Sequence, residues 1–453
     1  MDKFDVIIAG AGTGGSLAAK TVAEAGLNAC FLDIKKETDI GRKICGDAIG
    51  KHHFSNLGLK EPSSDEIEGI MEGIEIYSPD KKTSYVVKGD QLYGFVLNRY
   101  RFGQRLVSEA KSAGAILYDQ TQAIEPLVEG GRVCGVKTKN LKTKSEETLR
   151  SSLVIEATGF TAALRKKLPP NLGIDLTVDN QDVEACYREI RLLTHSLDNR
   201  SLCQIYLNQK TTPGGYYWVF PRKGNKVNVG LGVAMVEGFP KPKERLYQHV
   251  LSQPLFTDSS VVDKGAWYVP TRRPLNSMVG DGVMVVGDAA CQVNPIHGGG
   301  IGPSMIGGKL AGETALKALE KGDLSREGLW EYNIRYISDY GAKQAGLEVF
   351  RILLQNVGDE DLNYGMRYRL LTEEDLLKVS LGEDIRFSIT EKARRVFKGL
   401  KNISFLRKLK NTAKLIREAK NWYKAYPSSP ADFENWRART EDLFRRAVGQ
   451  FAA

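Results

Sequence analysis

At 453 residues the chain is long enough for two or three domains with a sizeable core. Its 42% hydrophobic and 26% charged residues are ordinary for a water-soluble protein, and no run approaches the roughly 18–20 apolar residues a membrane span needs. The net charge of +9 is uneven: residues 392–424 hold twelve Lys or Arg against Glu418 alone, a local +11 that leaves the remainder near −2.

The N-terminal "MDKFDVIIAG" enters a strand almost at once and leaves no room for a signal peptide. Cys30, Cys45, Cys134, Cys186, Cys203 and Cys291 are scattered without disulfide or zinc spacing. Together these predict a cytoplasmic chain. "FDVIIAG" reads as a buried strand, "GAGTGG" as a turn, "GSLAAKTVAEAG" as a helix and "NACFLD" as the next strand. Gly10, Gly12 and Gly15 fit G-x-G-x-x-G, with Gly14 in the same turn, and Asp33 follows Gly10 by 23 residues. In that context Gly10 permits the tight turn, Gly12 admits a pyrophosphate, Gly15 lets helix and strand pack, and Asp33 accepts from ribose hydroxyls. A nicotinamide and a flavin dinucleotide both remain open. His52 and His53 are adjacent and do not face one way, so no metal site is expected.

Further along, "SSLVIEATGFTAALR" is a strand running into Ala157-Thr158-Gly159 with Arg165 beyond. In "PGGYYWVFP", Tyr216, Trp218 and Phe220 point to one face of a strand and Tyr217 and Val219 to the other. "PRKGN" makes the turn and "KVNVGLGVAM" returns, so this is a hairpin of an antiparallel sheet at about residues 170–275. Such aromatic faces build either core or the wall of an apolar site. "VMVVGDAA" is another buried strand ending in Gly287–Asp288, and "GGGIGPSMIGGKLAGE" is a glycine-led helix starting near Gly300 and Ile301. A carboxylate at a strand end followed by a glycine-led helix suits a flavin: Asp288 for the ribityl hydroxyls, the positive helix end for N1 and the C2 carbonyl. In the basic segment Val396, Leu400, Ile403, Leu406, Leu409, Ala413 and Ile416 recur at helical spacing. That face is either simply solvated or attracted to anionic phosphate.

These motifs, in this order and separation, resemble the flavin monooxygenase superfamily of the p-hydroxybenzoate hydroxylase type. The resemblance implies one extended FAD held by Gly10, Gly12, Gly14, Gly15, Asp33, Asp288, Gly300 and Ile301. It further implies Arg99 near the pyrophosphate, the backbone at Ala123 beside the adenine, and the loop Cys45-Gly46-Asp47-Ala48 beside the isoalloxazine. Pro213-x-x-Tyr216-x-Trp218-x-Phe220-Pro221 is similar, position for position, to the P-x-x-Y-x-W-x-F-P signature of geranylgeranyl reductases, in particular those acting on archaeal ether lipids. The fold expected is α/β: a Rossmann-like FAD-binding domain from residues 1–170 and 276–340, an antiparallel β substrate domain at 171–275, and a helical basic domain at 341–453.

The activity so implied is saturation of isolated geranylgeranyl double bonds. With no conjugated carbonyl, hydride cannot lead, so protonation precedes or accompanies its delivery from flavin N5. The Tyr216/Trp218/Phe220 face then has two uses: it binds the prenyl chain, and each ring favours cationic character by about 0.5–2 kcal/mol. Cys45 and Tyr216 are the candidate proton-bearing catalytic residues, although a phenol with pKa about 10 is a weak acid for an alkene. The electron donor is NAD(P)H, a ferredoxin or another carrier. The basic tail suits peripheral contact with anionic membrane; nucleic acid is not expected. Two other readings share the scaffold: a monooxygenase, epoxidase or halogenase activating O₂, and a prenyl-binding carrier without flavin.

Overall fold

The computed structural model describes residues 3–90, 92–381 and 402–451. Within strand Lys3–Ala9 the run Val6–Ala9 is apolar and buried on both faces, as a strand covered on both sides must be. It lies inside a sheet ordered Val279–Gly280, Val283–Val285, Glu146–Glu156, Lys3–Ala9, Ala29–Leu32, Ile116–Tyr118. Its pairings are parallel from Val283–Val285 to Ile116–Tyr118, and the hairpin of Thr121–Glu129 and Arg132–Asn140 adds to Glu146–Glu156 antiparallel. Helices Thr13–Glu24 and Ile301–Lys321 pack on one another and bring the first and last sheet motifs together.

A second sheet runs Ser260–Pro270, Val183–Leu192, Lys226–Ala234, Tyr216–Pro221, Leu202–Leu207, Gly73–Tyr77, Ser84–Lys88. The expected hairpin is there, with Val219 opposite Val229 and Tyr217 opposite Leu231. Its two faces separate as period-two alternation requires. Tyr217, Val219, Val227, Val229 and Leu231 pack under Leu246 and Val250. Trp218 and Phe220 turn the other way, toward Ile205, Met71 and Val96. Two of the seven strands, Gly73–Tyr77 and Ser84–Lys88, come from well before residue 171, because Gly73–Tyr77 pairs in parallel with Leu202–Leu207. No local pattern announces a parallel partner so distant in sequence. A small third sheet, Ala48–Gly50, Gly94–Leu97, Ile67–Met71, carries the loop from Cys45.

The C-terminal part is helical: Ala342–Gln355, Asp359–Arg367, Glu373–Leu381, Ile403–Lys424 and Phe433–Gly449. Residues 392–401 of the basic stretch, including Val396 and Leu400, lie outside the described residues. Helix Ile403–Lys424 packs along Ala342–Gln355. Its buried face is Phe405, Thr412, Leu415, Ala419 and Tyr423, while Ile403 is 57% exposed and Ala413 faces solvent. The apolar spacing therefore located the helix but set its inward face off by a residue or two. Packing against the neighbouring helix decides that rotation. Among the described residues no helix is long and apolar enough to cross a membrane.

Candidate active site

The turn after Lys3–Ala9 is shaped for a phosphate. Gly10 has φ +115°, a conformation L side chains rarely adopt, and a Cβ there would overlap the carbonyl of Ala157. A Cβ on Gly15 would overlap the carbonyl oxygen of Gly10, so turn and helix meet backbone to backbone. Gly14 approaches helix Ile301–Lys321 just as closely, its Cβ position 2.7 Å from the oxygen of Ser304. Gly12 differs: apart from its chain neighbours, no atom of the described residues lies within 4 Å of where its Cβ would stand. It caps Thr13–Glu24, whose first turn has no side-chain cap and no acid, leaving N–H groups and a positive helix end toward that space.

Around it stand the other expected groups. Asp33 accepts from the N–H of Ala11 at 3.2 Å and of Lys35 at 2.9 Å, which fixes its carboxylate at the strand end. Ala123 is buried in Thr121–Glu129, whose first residue donates its N–H to the Asp33 carbonyl. Arg99, at the start of helix Arg99–Ser112, has buried Nε and Nη1 atoms with no hydrogen-bond partner. It lines the same cavity as Thr13. An orphaned guanidinium beside open space and a bare helix N-terminus fits a pyrophosphate.

Asp288, which lines the same cavity, is paired with Lys43 at 2.9 Å. Its Oδ1 lies 3.1 Å from the Cβ position of Gly300, which caps Ile301–Lys321 without a side chain. The Cys45–Ala48 loop crosses directly onto the aromatic strand: Gly46's Cβ position is 3.1 Å from Phe220 Cε2 and 4.0 Å from Trp218 Nε1. Trp218 and Phe220 are only 7% and 8% exposed.

Hydrogen bonds lock the two together. Trp218 Nε1 donates to Asn228 Oδ1 at 3.0 Å, and Asn228 Nδ2 donates to the Cys45 carbonyl at 2.8 Å and to Asp47 Oδ2 at 2.9 Å. Arg222 Nη1 reaches the same Asp47 oxygen at 2.7 Å. Cys45 Sγ accepts from the Asp47 N–H at 3.3 Å, and burial, reinforced by Asp47, pushes its thiol pKa up. Tyr216 donates its hydroxyl to the carbonyl of His297 at 2.7 Å, and burial holds its phenol far above the usual value.

A second, mainly apolar cavity adjoins this one at Tyr216, bounded by Ile74, Ile205, Leu347, Phe350, Phe405 and Leu409 among others. Phe405 and Leu409 of the helical tail thus help line the second cavity. Sequence reasoning missed Asn228, Arg222, Trp267 and Tyr268, the last two from strand Ser260–Pro270. It also missed, as groups lining the site, the half-buried His53 and the more exposed His297, whose pKa values desolvation lowers to about 3 and about 4, and Lys343, lowered likewise to about 8. Their signal was weak, since the adjacent pair His52 and His53 was weighed only as a metal site, and nothing near His297 or Lys343 marks either as lining a cavity. Among the described residues no group of three or more His, Cys, Asp or Glu could hold a metal ion.

A family model, the geranylgeranyl reductase catalytic domain, matches residues 182–269. The chain is 42% identical over 443 residues to the digeranylgeranylglycerophospholipid reductase of Sulfolobus acidocaldarius, covering 97% of each. It is 35% identical over 386 residues to digeranylgeranylglycerophospholipid reductase 2 of Methanococcoides burtonii, covering 83% of this chain and 91% of that one. Among solved structures, a geranylgeranyl bacteriochlorophyll reductase-like protein from Thermoplasma acidophilum superposes with a TM-score of 0.75 at 23% identity, over 91% of this chain and 100% of the other. A myxobacterial chondrochloren halogenase, described as FAD-dependent, gives 0.64 at 16% identity over 99% and 98%. Both of these likenesses speak to the fold alone.

Proposed function

The chain belongs to the digeranylgeranylglycerophospholipid reductases, and on that premise we propose that it uses FAD to saturate the geranylgeranyl chains of archaeal ether phospholipids at this cavity. The observation that carries the reading is the single wall formed by three separate motifs. The Cys45–Ala48 loop lies on Trp218 and Phe220, faces the Asp288–Gly300 end, and opens at Tyr216 into an apolar cavity. Bound and reduced, FAD supplies the hydride.

The chain's own residues do the rest. Gly12, Thr13 and Arg99 receive the pyrophosphate, Asp33 and the backbone at Ala123 the adenosine, and Asp288 with Gly300 and Ile301 the ribityl and pyrimidine end. Tyr216, Trp218 and Phe220 hold the prenyl chain on the other side of the Cys45–Gly46 loop. The aromatic faces favour positive character at the alkene carbon, and the apolar lining leaves few polar groups to hold water that would capture it. Burying the chain contributes about 0.8 kcal/mol per CH₂, so affinity is ample and selectivity falls to cavity length and headgroup. Cys45 keeps its thiol proton at neutral pH, and Tyr216 holds its proton on the His297 carbonyl. Saturation of the lipid by anaerobic, chemically reduced protein tests this reading.

A second element concerns the tail. On helix Ile403–Lys424 the charged Arg407, Lys410, Lys414 and Arg417 are exposed, away from the buried face. Such a face suits peripheral docking on anionic lipid, which delivers the substrate's own bilayer to the site. Binding to anionic vesicles is expected to weaken steeply as salt shortens the Debye length from about 10 Å at 0.1 M to about 3 Å at 1 M. Charge reversal of Lys408, Lys410 and Lys414 should weaken it further; binding indifferent to both changes would remove the docking reading.

A further inference from the structure

Glu184 is the one acidic side chain that lines both cavities among the described residues, and it stands where they meet at Tyr216. It projects from strand Val183–Leu192, is 5% exposed, and its carboxyl makes no hydrogen bond or ion pair with any described residue. A residue so buried and so polar ordinarily has a partner. Room for it is made by Gly232 on the adjacent strand, whose Cβ position lies 2.8 Å from Glu184 Oε2 and 3.3 Å from Cys186 Sγ. The titratable groups facing it are Cys186 on its own strand, Tyr216 across the sheet, and Arg351 on helix Ala342–Gln355; Cys45 faces Cys186 and Tyr216 from the loop. Arg351 is already engaged by Asp182 at 2.7 Å, the Gln181 carbonyl at 3.0 Å and Gln355 at 3.0 Å, so it acts on Glu184 only at a distance.

We propose that Glu184 is the acid that protonates the alkene at the junction of the two cavities. The inference rests on the reductase reading above. In the step, the carboxyl O–H bond breaks and the alkene's π pair takes the proton at its less substituted carbon. The hydride from the reduced flavin forms the second C–H bond at the tertiary carbon. Glu184 is left as carboxylate and regains its proton from solvent between turnovers. Burial raises its pKa to about 7 against the opposing charge of Arg351, so near neutral pH a large fraction carries the proton. Tyr216 and Cys45 are displaced upward from ordinary values that are already higher, which makes both weaker acids than Glu184. In this arrangement Tyr216 positions the chain, and the carboxyl beside it supplies the proton.

The test is single-turnover saturation of digeranylgeranylglyceryl phospholipid by pre-reduced protein, followed by mass spectrometry from about pH 5 to about pH 9. The acid form must react, so the wild-type rate should fall about tenfold per pH unit above about pH 7. Glu184→Gln should lose at least about a hundredfold in rate together with that descending limb, while flavin content and lipid affinity stay unchanged. Glu184→Asp should be slowed but keep the limb.

Melting reports independently on the buried acid. With a folded pKa above the unfolded one, the wild type loses stability as pH rises from about 4.5 to about 7. Glu184→Gln lacks that loss, so it should melt above the wild type at pH 8 and level with it at pH 5. A flat wild-type rate profile, or Glu184→Gln turning over normally with the limb intact, overturns the proposal; should Glu184→Gln not fold, the wild-type profile and Glu184→Asp decide. A wild type that leaves the lipid unsaturated at every pH overturns the reductase reading itself.

Discussion

A Gly12→Ala chain is expected to melt within about 2 °C of the wild type yet to be isolated with little or no flavin. Apart from its own chain neighbours, no atom of the described residues lies within 4 Å of the new methyl, so the fold has no reason to object. The cost of Ala for Gly at this cap position is at most about 1 kcal/mol. The space that the methyl takes is the space before the bare N-terminus of Thr13–Glu24, where the pyrophosphate is proposed to sit. Loss of affinity on the order of a hundredfold, about 2.8 kcal/mol, is expected from pushing the phosphate off those N–H groups. Gly15→Ala makes the contrast: its methyl overlaps the Gly10 carbonyl, so both melting temperature and flavin content should fall. Flavin absorbance and thermal melts on the two variants separate ligand exclusion from misfolding. Full flavin content in Gly12→Ala would show that no phosphate is seated there.

The second large effect concerns Trp218. Replacing it with alanine removes one ring of the proposed prenyl wall and the Nε1 donor that holds Asn228, and with it the tie to Cys45 and Asp47. Losing the ring's attraction for cationic character, about 0.5–2 kcal/mol, corresponds to about 2- to 30-fold in rate. Misplacing the loop by about 1 Å is worth on the order of a hundredfold more. Trp218→Ala should therefore turn over at least about a hundredfold more slowly, whereas Trp218→Phe, which keeps a ring and loses only the hydrogen bond, should fall between. Single-turnover rates at saturating lipid check this. A normal rate for Trp218→Ala would remove the aromatic strand from the reaction.

What could be read from the chain follows how local each signal was. Gly10, Gly12, Gly15 and Asp33 sit within one strand–turn–helix–strand unit, and each residue type answers a steric or electrostatic demand inside that unit. The aromatic strand was equally readable, since alternation alone puts Tyr216, Trp218 and Phe220 on one face. Glu184, Asn228 and Arg222 were invisible for the opposite reason. Val183–Leu192 and Lys226–Ala234 bring Glu184 and Asn228 to the site through strand register, Arg222 reaches it from the turn between Tyr216–Pro221 and Lys226–Ala234, and Gly232 makes the room Glu184 needs. Nothing near Glu184 in sequence distinguishes it from a solvated carboxylate. The tail shows the same limit: its helical period was plain, but that Phe405 and Leu409 help line the second cavity depends on packing across the molecule.

The central claim is that this chain adds hydrogen, and nothing else, to isolated double bonds of a geranylgeranyl lipid. It is tested most directly by incubating chemically reduced protein with digeranylgeranylglyceryl phospholipid in the strict absence of oxygen and weighing the lipid by mass spectrometry. A gain of two hydrogens for each bond reduced, and no added oxygen, is expected. An unchanged lipid under these conditions, with a product heavier by one oxygen once O₂ is admitted, would contradict it.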